Sequence, residues 1–144
     1  MKRNISLQWE VLYSPEKVWE VLTNFELVKK WIPKISDFKA IEGFEYEQHQ
    51  KARGDWDGII YHKVLKIVPS KTLSYTFQSG PQKGIITMNT IVTFNLTPIE
   101  NGTLVKLEHS GFEGLKNCFT SFILELGWKN QISKRINEIL AEAD

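Results

Sequence analysis

The side chains in this sequence that could do chemistry are few and scattered. Its three histidines, His49, His62 and His109, stand at no HxxxH or CxxC-like spacing from one another or from a cysteine, so no metal site is expected. His109 alternates with Val105 and Leu107 and should point inward, as a polar anchor or proton donor in a cavity. The blander reading is a core histidine hydrogen-bonded to backbone, and it carries more weight. His62 lies between Tyr61 and Lys63, where a surface position is as good an expectation as any role. Cys118 falls in the first turn of an expected helix, whose dipole could favour a thiolate. No histidine is tied to it as a base, so a buried or idle thiol is the better reading. Asp55, Asp57 and Glu113 could form a carboxylate set at the open end of a sheet, but loop carboxylates are normally solvated. Gly80 and Gly84 follow no parallel strand and open no helix, so they make no phosphate loop. No catalytic constellation and no cofactor site are expected, and binding is favoured over catalysis.

Aromatic residues are the better candidates for a site. The chain has five Trp, four Tyr and eight Phe. A core so rich in rings either packs tightly or lines a cavity.

The elements that would position these rings follow from periodicity. Ile5 to Tyr13 alternates as a half-buried strand. Ser14-Pro15-Glu16 reads as a helix cap and first turn, with Val18, Trp19 and Leu22 as the apolar face. Asn24 ends that helix and begins a second, which Pro33 terminates. Phe38–Ile41 reads as a short strand, 45–53 as a polar edge strand, and 59–68 as a strand stopped by Pro69. Leu73, Tyr75 and Phe77 share one face of the next strand. Met88, Thr90, Val92, Phe94 and Leu96 share a face of a long one. Asn101-Gly102 marks a hairpin turn. Thr103, Val105, Leu107 and His109 share a face of the last strand. From Gly114 to Glu142 the pattern is helical. Leu115, Phe119, Phe122, Ile123 and Leu126 form one stripe, and Trp128, Ile132, Ile136, Ile139 and Leu140 a second, rotated by roughly 110°. The change of face falls at Gly127, where the helix is expected to be bent or interrupted. Short loops between strands imply an antiparallel sheet, and the long helix should cover its core face. The expected fold is α+β, one domain over residues 1–144, a curved antiparallel sheet gripping a long C-terminal helix.

Composition narrows the function classes. The hydrophobic fraction of 42% and charged fraction of 24% are ordinary for a soluble domain. A formal net charge of +1 argues against nucleic acid or an anionic membrane as partner. No apolar run approaches membrane-spanning length. A single cysteine fits a reducing compartment, and a cytoplasmic protein is expected.

The order of motifs resembles the START-related (SRPBCC) superfamily, and within it the family named after the activator of the heat-shock protein 90 ATPase. Ser14-Pro15-Glu16-Lys17-Val18-Trp19 followed by Leu27 and Lys30-Trp31 resembles that family's N-terminal signature. The run from Lys63 to Pro69, then Leu73 and Tyr75, resembles its central hairpin. Thr90 to Thr97 and Gly102 to Phe112 resemble the next hairpin, and Gly127-Trp128 with Ile132 and Ile136 its final helix. His62 departs from a common glycine and Phe77 from a common tryptophan. The resemblance implies a helix-grip fold with a cavity between sheet and helix.

Two functions follow as expectations. The first is an intracellular domain that binds a small apolar or aromatic molecule, with Tyr75, Phe77, Met88, Thr90, Val92, Val105, Leu107, His109, Phe119 and Ile123 lining the cavity. The second, implied by the resemblance, is an interaction protein that regulates a chaperone ATPase. The sequence has no separate chaperone-binding N-terminal domain, which ranks this second.

Overall fold

Alternation of apolar and polar side chains places strands where expected, and six form. A computed structural model of the protein describes residues 1–142. The strands are β1 (Lys2–Val11), β2 (Glu45–His49), β3 (Ile59–Val68), β4 (Thr72–Ser79), β5 (Met88–Ile99) and β6 (Gly102–Glu113). They make one antiparallel sheet in the order β1-β6-β5-β4-β3-β2. On β5 the side chains of Met88, Thr90, Val92, Phe94 and Leu96 are all buried, as their shared face requires. The last hairpin turns at Asn101 (φ 65°). Gly102 follows because a Cβ there would lie 2.0 Å from the Val11 carbonyl oxygen.

Two short helices connect β1 to β2: α1 (Pro15–Thr23) and α2 (Phe25–Trp31). The Ser14 hydroxyl accepts from the Lys17 amide at 3.2 Å, and Asn24 Oδ1 accepts from the Glu26 amide at 3.0 Å. Each caps the first turn of its helix as its residue type predicts. Trp31 is buried, and its indole N–H donates to the Val21 carbonyl at 2.9 Å, which locks α2 onto α1.

Two expectations fail in the connection to β2. Phe38–Ile41 is no strand. The Ile41 amide donates to the Lys39 carbonyl at 2.8 Å, a turn that ends any extension, while the Phe38 ring is buried edge-on to Tyr46. β2 stops at His49 rather than at Arg53, because Arg53 and Trp56 pair across a tight turn of their own.

The chain from Leu115 to Glu142 is helical throughout, but not of one kind. α3 (Leu115–Gly127) gives way to a π-helical segment (Trp128–Ile132) and then to α4 (Ser133–Glu142). The helix is interrupted directly after Gly127, and the stripe changes face there through an extra residue in one wide turn. Gly127 itself is regular, with φ −62° and ψ −48°. A Cβ added there would meet nothing within 4 Å, so close packing does not select this glycine.

α4 buries Ile136, Ile139 and Leu140 in the common core, and Arg135 Nε donates to the Lys30 carbonyl of α2 at 3.1 Å. α3 does the reverse of what its apolar stripe predicts. Its buried residues are Cys118 and Ser121, and it leans on β1 and β6. Leu115, Phe119, Phe122, Ile123 and Leu126 face outward and are between 56% and 76% exposed. The fully buried positions hold the small side chains of Cys118 and Ser121, and Leu124 is half-buried against the core. The Ser121 hydroxyl donates to the Cys118 carbonyl at 2.5 Å and accepts from Arg3 Nη1 at 2.8 Å, and Arg3 Nη2 meets Glu125 Oε1 at 2.7 Å. Polar bonds, not the apolar stripe, tie α3 to the edge strand.

Candidate functional site

The concave face of the sheet gathers eight of the ten expected site residues. Tyr75, Phe77, Met88, Thr90, Val92, Val105, Leu107 and His109 are all buried there. Ring contacts run across the sheet, from Tyr46 on β2 to His62 on β3 (4.7 Å, stacked). They pass from His62 to Phe77 on β4 (5.4 Å) and from Phe77 to His109 on β6 (4.6 Å). His109 also meets Phe112 at 4.6 Å, and Trp128 lies 6.0 Å from Phe94, itself 6.1 Å from Trp31. Two open surface depressions lie away from these rings. One lies by Lys2–Asn4 and Gly111–Glu113, and the other by Pro15, Pro69–Thr72 and Lys106. The rings pack as core.

Phe119 and Ile123 are not brought to this group. Both point outward from α3 and are more than half exposed. The expectation that they roof a cavity is corrected by the orientation of the helix, which turns Cys118 and Ser121 to the sheet instead.

The polar groups in the core form a closed relay. The Trp128 indole N–H donates to His109 Nδ1 at 3.0 Å. His109 Nε2 lies 2.8 Å from Thr90 Oγ1, and the Thr90 hydroxyl donates to the Phe77 carbonyl at 2.6 Å. Because Thr90 gives its proton to a carbonyl, His109 Nε2 must carry a proton and donate it. Nδ1 is then the acceptor that Trp128 requires. His109 is neutral, with every ring nitrogen occupied. Burial lowers its pKa to about 3, helped by the nearby ring of His62. The histidine is thus a core residue, bonded to side chains rather than to backbone.

His62 is not at the surface. It is buried, and its Nδ1 donates to the Thr76 carbonyl at 2.8 Å. Its other nitrogen is then an acceptor and lies 3.4 Å from Gln48 Oε1; turning that side-chain amide over would bring its NH₂ to the ring. Burial lowers the His62 pKa to about 4, although the Thr76 bond pulls the other way. Neither buried histidine carries the second proton of an imidazolium near neutral pH. His49 is exposed and pairs with Glu47 at 2.9 Å.

The remaining chemical candidates do not converge. Cys118 is buried, and its thiol points at the Phe112 carbonyl 3.7 Å away. Asp57 is committed to the Ile59 amide (2.9 Å) and the Tyr61 hydroxyl (2.6 Å), while Glu113 pairs with Lys2 at the surface. Among the described residues no group of three or more His, Cys, Asp or Glu could hold a metal. None of their helices is long and apolar enough to cross a membrane.

The feature that sequence reasoning misplaced is the outer face of α3. It carries large apolar side chains in water, over a helix whose buried side is small. Phe122 is held in place by the Arg3 guanidinium, 3.7 Å above its ring.

With this geometry in view, the comparisons with known proteins are specific. The family model described as activator of Hsp90 ATPase homolog 1-like protein matches residues 12–141. The chain belongs to that family. A crystal structure of a Mesorhizobium loti protein is 30% identical, with TM-score 0.85 and 99% of each chain covered. The solution structure of the Aha1 dimer from Colwellia psychrerythraea is 26% identical, with TM-score 0.64, covering 94% of this chain and 98% of that one. DynU16, from the dynemicin biosynthetic locus, is 19% identical with TM-score 0.73. It covers 98% of this chain and 48% of its own, and its likeness is one of fold. A comparison with curated proteins returns no match. The helix-grip fold expected for this Hsp90-activator family is the fold of this chain.

Proposed function

We propose that this protein acts by contact with another protein and not by catalysis, with the outer face of α3 as its contact surface. The observation that carries this reading is the set of five large apolar side chains exposed on one helix face, beside a core rich in buried rings. An apolar patch of this kind, lying beside a fixed Arg–Phe pair, has the composition of an interaction surface. Membership of a family named for a chaperone activator makes an Hsp90-type ATPase the first partner to test. The lone buried cysteine fits a reducing cytoplasm.

Purified chaperone and this protein decide the matter. ATP turnover and binding should change on adding the wild type, and Ile123→Asp should abolish the change while leaving the far-UV circular dichroism intact. Unchanged turnover, with no binding by calorimetry, sinks the chaperone reading.

A second reading is a small apolar or aromatic ligand held between sheet and helix. The ring-lined concave face favours it, since Phe77 and Met88 are the least covered of the eight buried residues. Native mass spectrometry of protein purified from its source tests it. A bound small molecule would raise this reading above the first, and a bare chain would end it.

A further inference from the structure

The exposed stripe on α3 has an internal order that selects its occupant. Leu115, Phe119, Phe122 and Leu126 recur at spacings of four, three and four. That is the seam of a two-helix coiled coil, one apolar row along one side of a helix. Ile123 lies beside the seam. α3 has 13 residues, about 20 Å at 1.5 Å per residue, so the row fills the helix from end to end.

The row is also symmetric about its centre. Reversed and laid against itself, it sets Leu115 opposite Leu126 and Phe119 opposite Phe122 at both ends. A two-fold axis needs this self-complementarity, because the same patch must serve both partners. Charge does not oppose the pairing. No position of the stripe is charged, and Arg3 beside it is neutralised by Glu125 at 2.7 Å. The formal net charge of the chain is only +1, so two copies repel little.

Area is consistent with a modest dimer. Five side chains more than half exposed present roughly 600 Å² of apolar surface. A standard interface takes about 800 Å² from each partner. Ile85 and Ile86, also exposed, sit in the loop that Asn117 Nδ2 fastens to the start of α3 through the Thr87 carbonyl at 2.9 Å. They supply further apolar surface beside the helix. Phe122 is already fixed under Arg3, so one anchor needs no ordering on contact.

The geometry points to a second copy of this chain as the occupant of the face, with the two α3 helices packed antiparallel across a two-fold axis. This rests on the reading of that face as a contact surface.

The test is molar mass by light scattering on the full chain across a dilution series. Wild type should run at twice the 16.7 kDa monomer and dissociate on dilution. Leu115→Lys and Leu126→Glu, each alone, should shift the protein to monomer. Combined in one chain they should restore the dimer, because antiparallel packing sets the two new charges opposite each other at both ends. The sites are exposed, so circular dichroism should show all three variants folded. A wild type that is monomeric at every concentration overturns the proposal. So does a dimer indifferent to both single substitutions, or a double variant weaker than either single. A monomer that still binds the chaperone and loses it with Ile123→Asp leaves the contact-surface reading standing and removes only the second copy. A monomer that binds nothing removes both.

Discussion

Thr90 and His109 sit on neighbouring strands, 2.8 Å apart, and each completes the hydrogen bonding of the other. The threonine passes its own proton to the Phe77 carbonyl, so it can only accept from the ring. One hydroxyl thereby decides the tautomer of the histidine to which Trp128 donates.

Thr90→Val keeps the shape of that site and removes the acceptor. The His109 Nε2 proton would be left buried without a partner. An unsatisfied buried donor costs about 1–3 kcal/mol, and urea denaturation should show a loss in that range. A loss within error of zero would mean that the ring flips or finds water.

Acid should unfold the protein through its two buried histidines. Their folded pKa values, about 3 for His109 and about 4 for His62, lie below the ordinary 6.5. Between those values and 6.5 the unfolded chain binds more protons than the native one, so stability rises with pH. The contribution is fully present above about pH 6.5 and is lost as pH falls toward 4 and 3. Each histidine adds a slope of at most about 1.4 kcal/mol per pH unit. Melts from pH 7 to 4.5 on wild type and on His62→Gln should diverge, with the variant flatter. Parallel curves would show that His62 does not titrate with unfolding.

Gly127→Ala should stabilise. The residue is helical, and nothing stands within 4 Å of the added methyl. Alanine gains up to about 1 kcal/mol over glycine inside a helix. Differential scanning calorimetry should show a higher Tm. A lower one would mean that the adjoining π turn needs glycine's freedom.

Gly102→Ala should do the opposite. The added carbon would stand 2.0 Å from the Val11 carbonyl oxygen, on backbone that cannot swing aside. The β1–β6 pairing ends at Val11 and Thr103, so it must give way at that point. A loss above 2 kcal/mol, of about the size seen for overpacking, is expected from chemical denaturation. A neutral result would place slack in the β1 end that the structure does not hold.

The strands and the core face were legible because alternation is a local signal with a period of two. Met88 to Leu96 and Thr103 to His109 needed no tertiary information to be set inward. The caps at Ser14 and Asn24 were legible for the same reason, since each acts on amides two or three residues away. The direction of α3 was not. A hydrophobic stripe tells which residues avoid water together, not whether the chain's own sheet or another surface will cover them. Arg3, Ser121 and Glu125, far apart in sequence, settle that question by long-range polar bonds. His62 misled because its strand neighbours are polar at the surface, while its own side of the strand faces Tyr46 and Phe77. The relay through Trp128 joins residues 19 apart and crosses from helix to sheet, so no spacing rule announces it.

The π turn between Gly127 and Ser133 makes the outer face of α3 a matter of counting. A π-helical turn holds about one residue more than an α-helical one. Deleting a single residue there would wind the segment back to α-helix and turn α3 by about 100° against α4. Ser121 would leave Arg3, and another row of the same thirteen residues would come to the surface. Which partner this protein can meet is therefore encoded in a length, and a one-residue gap could retire the contact without changing any side chain that makes it.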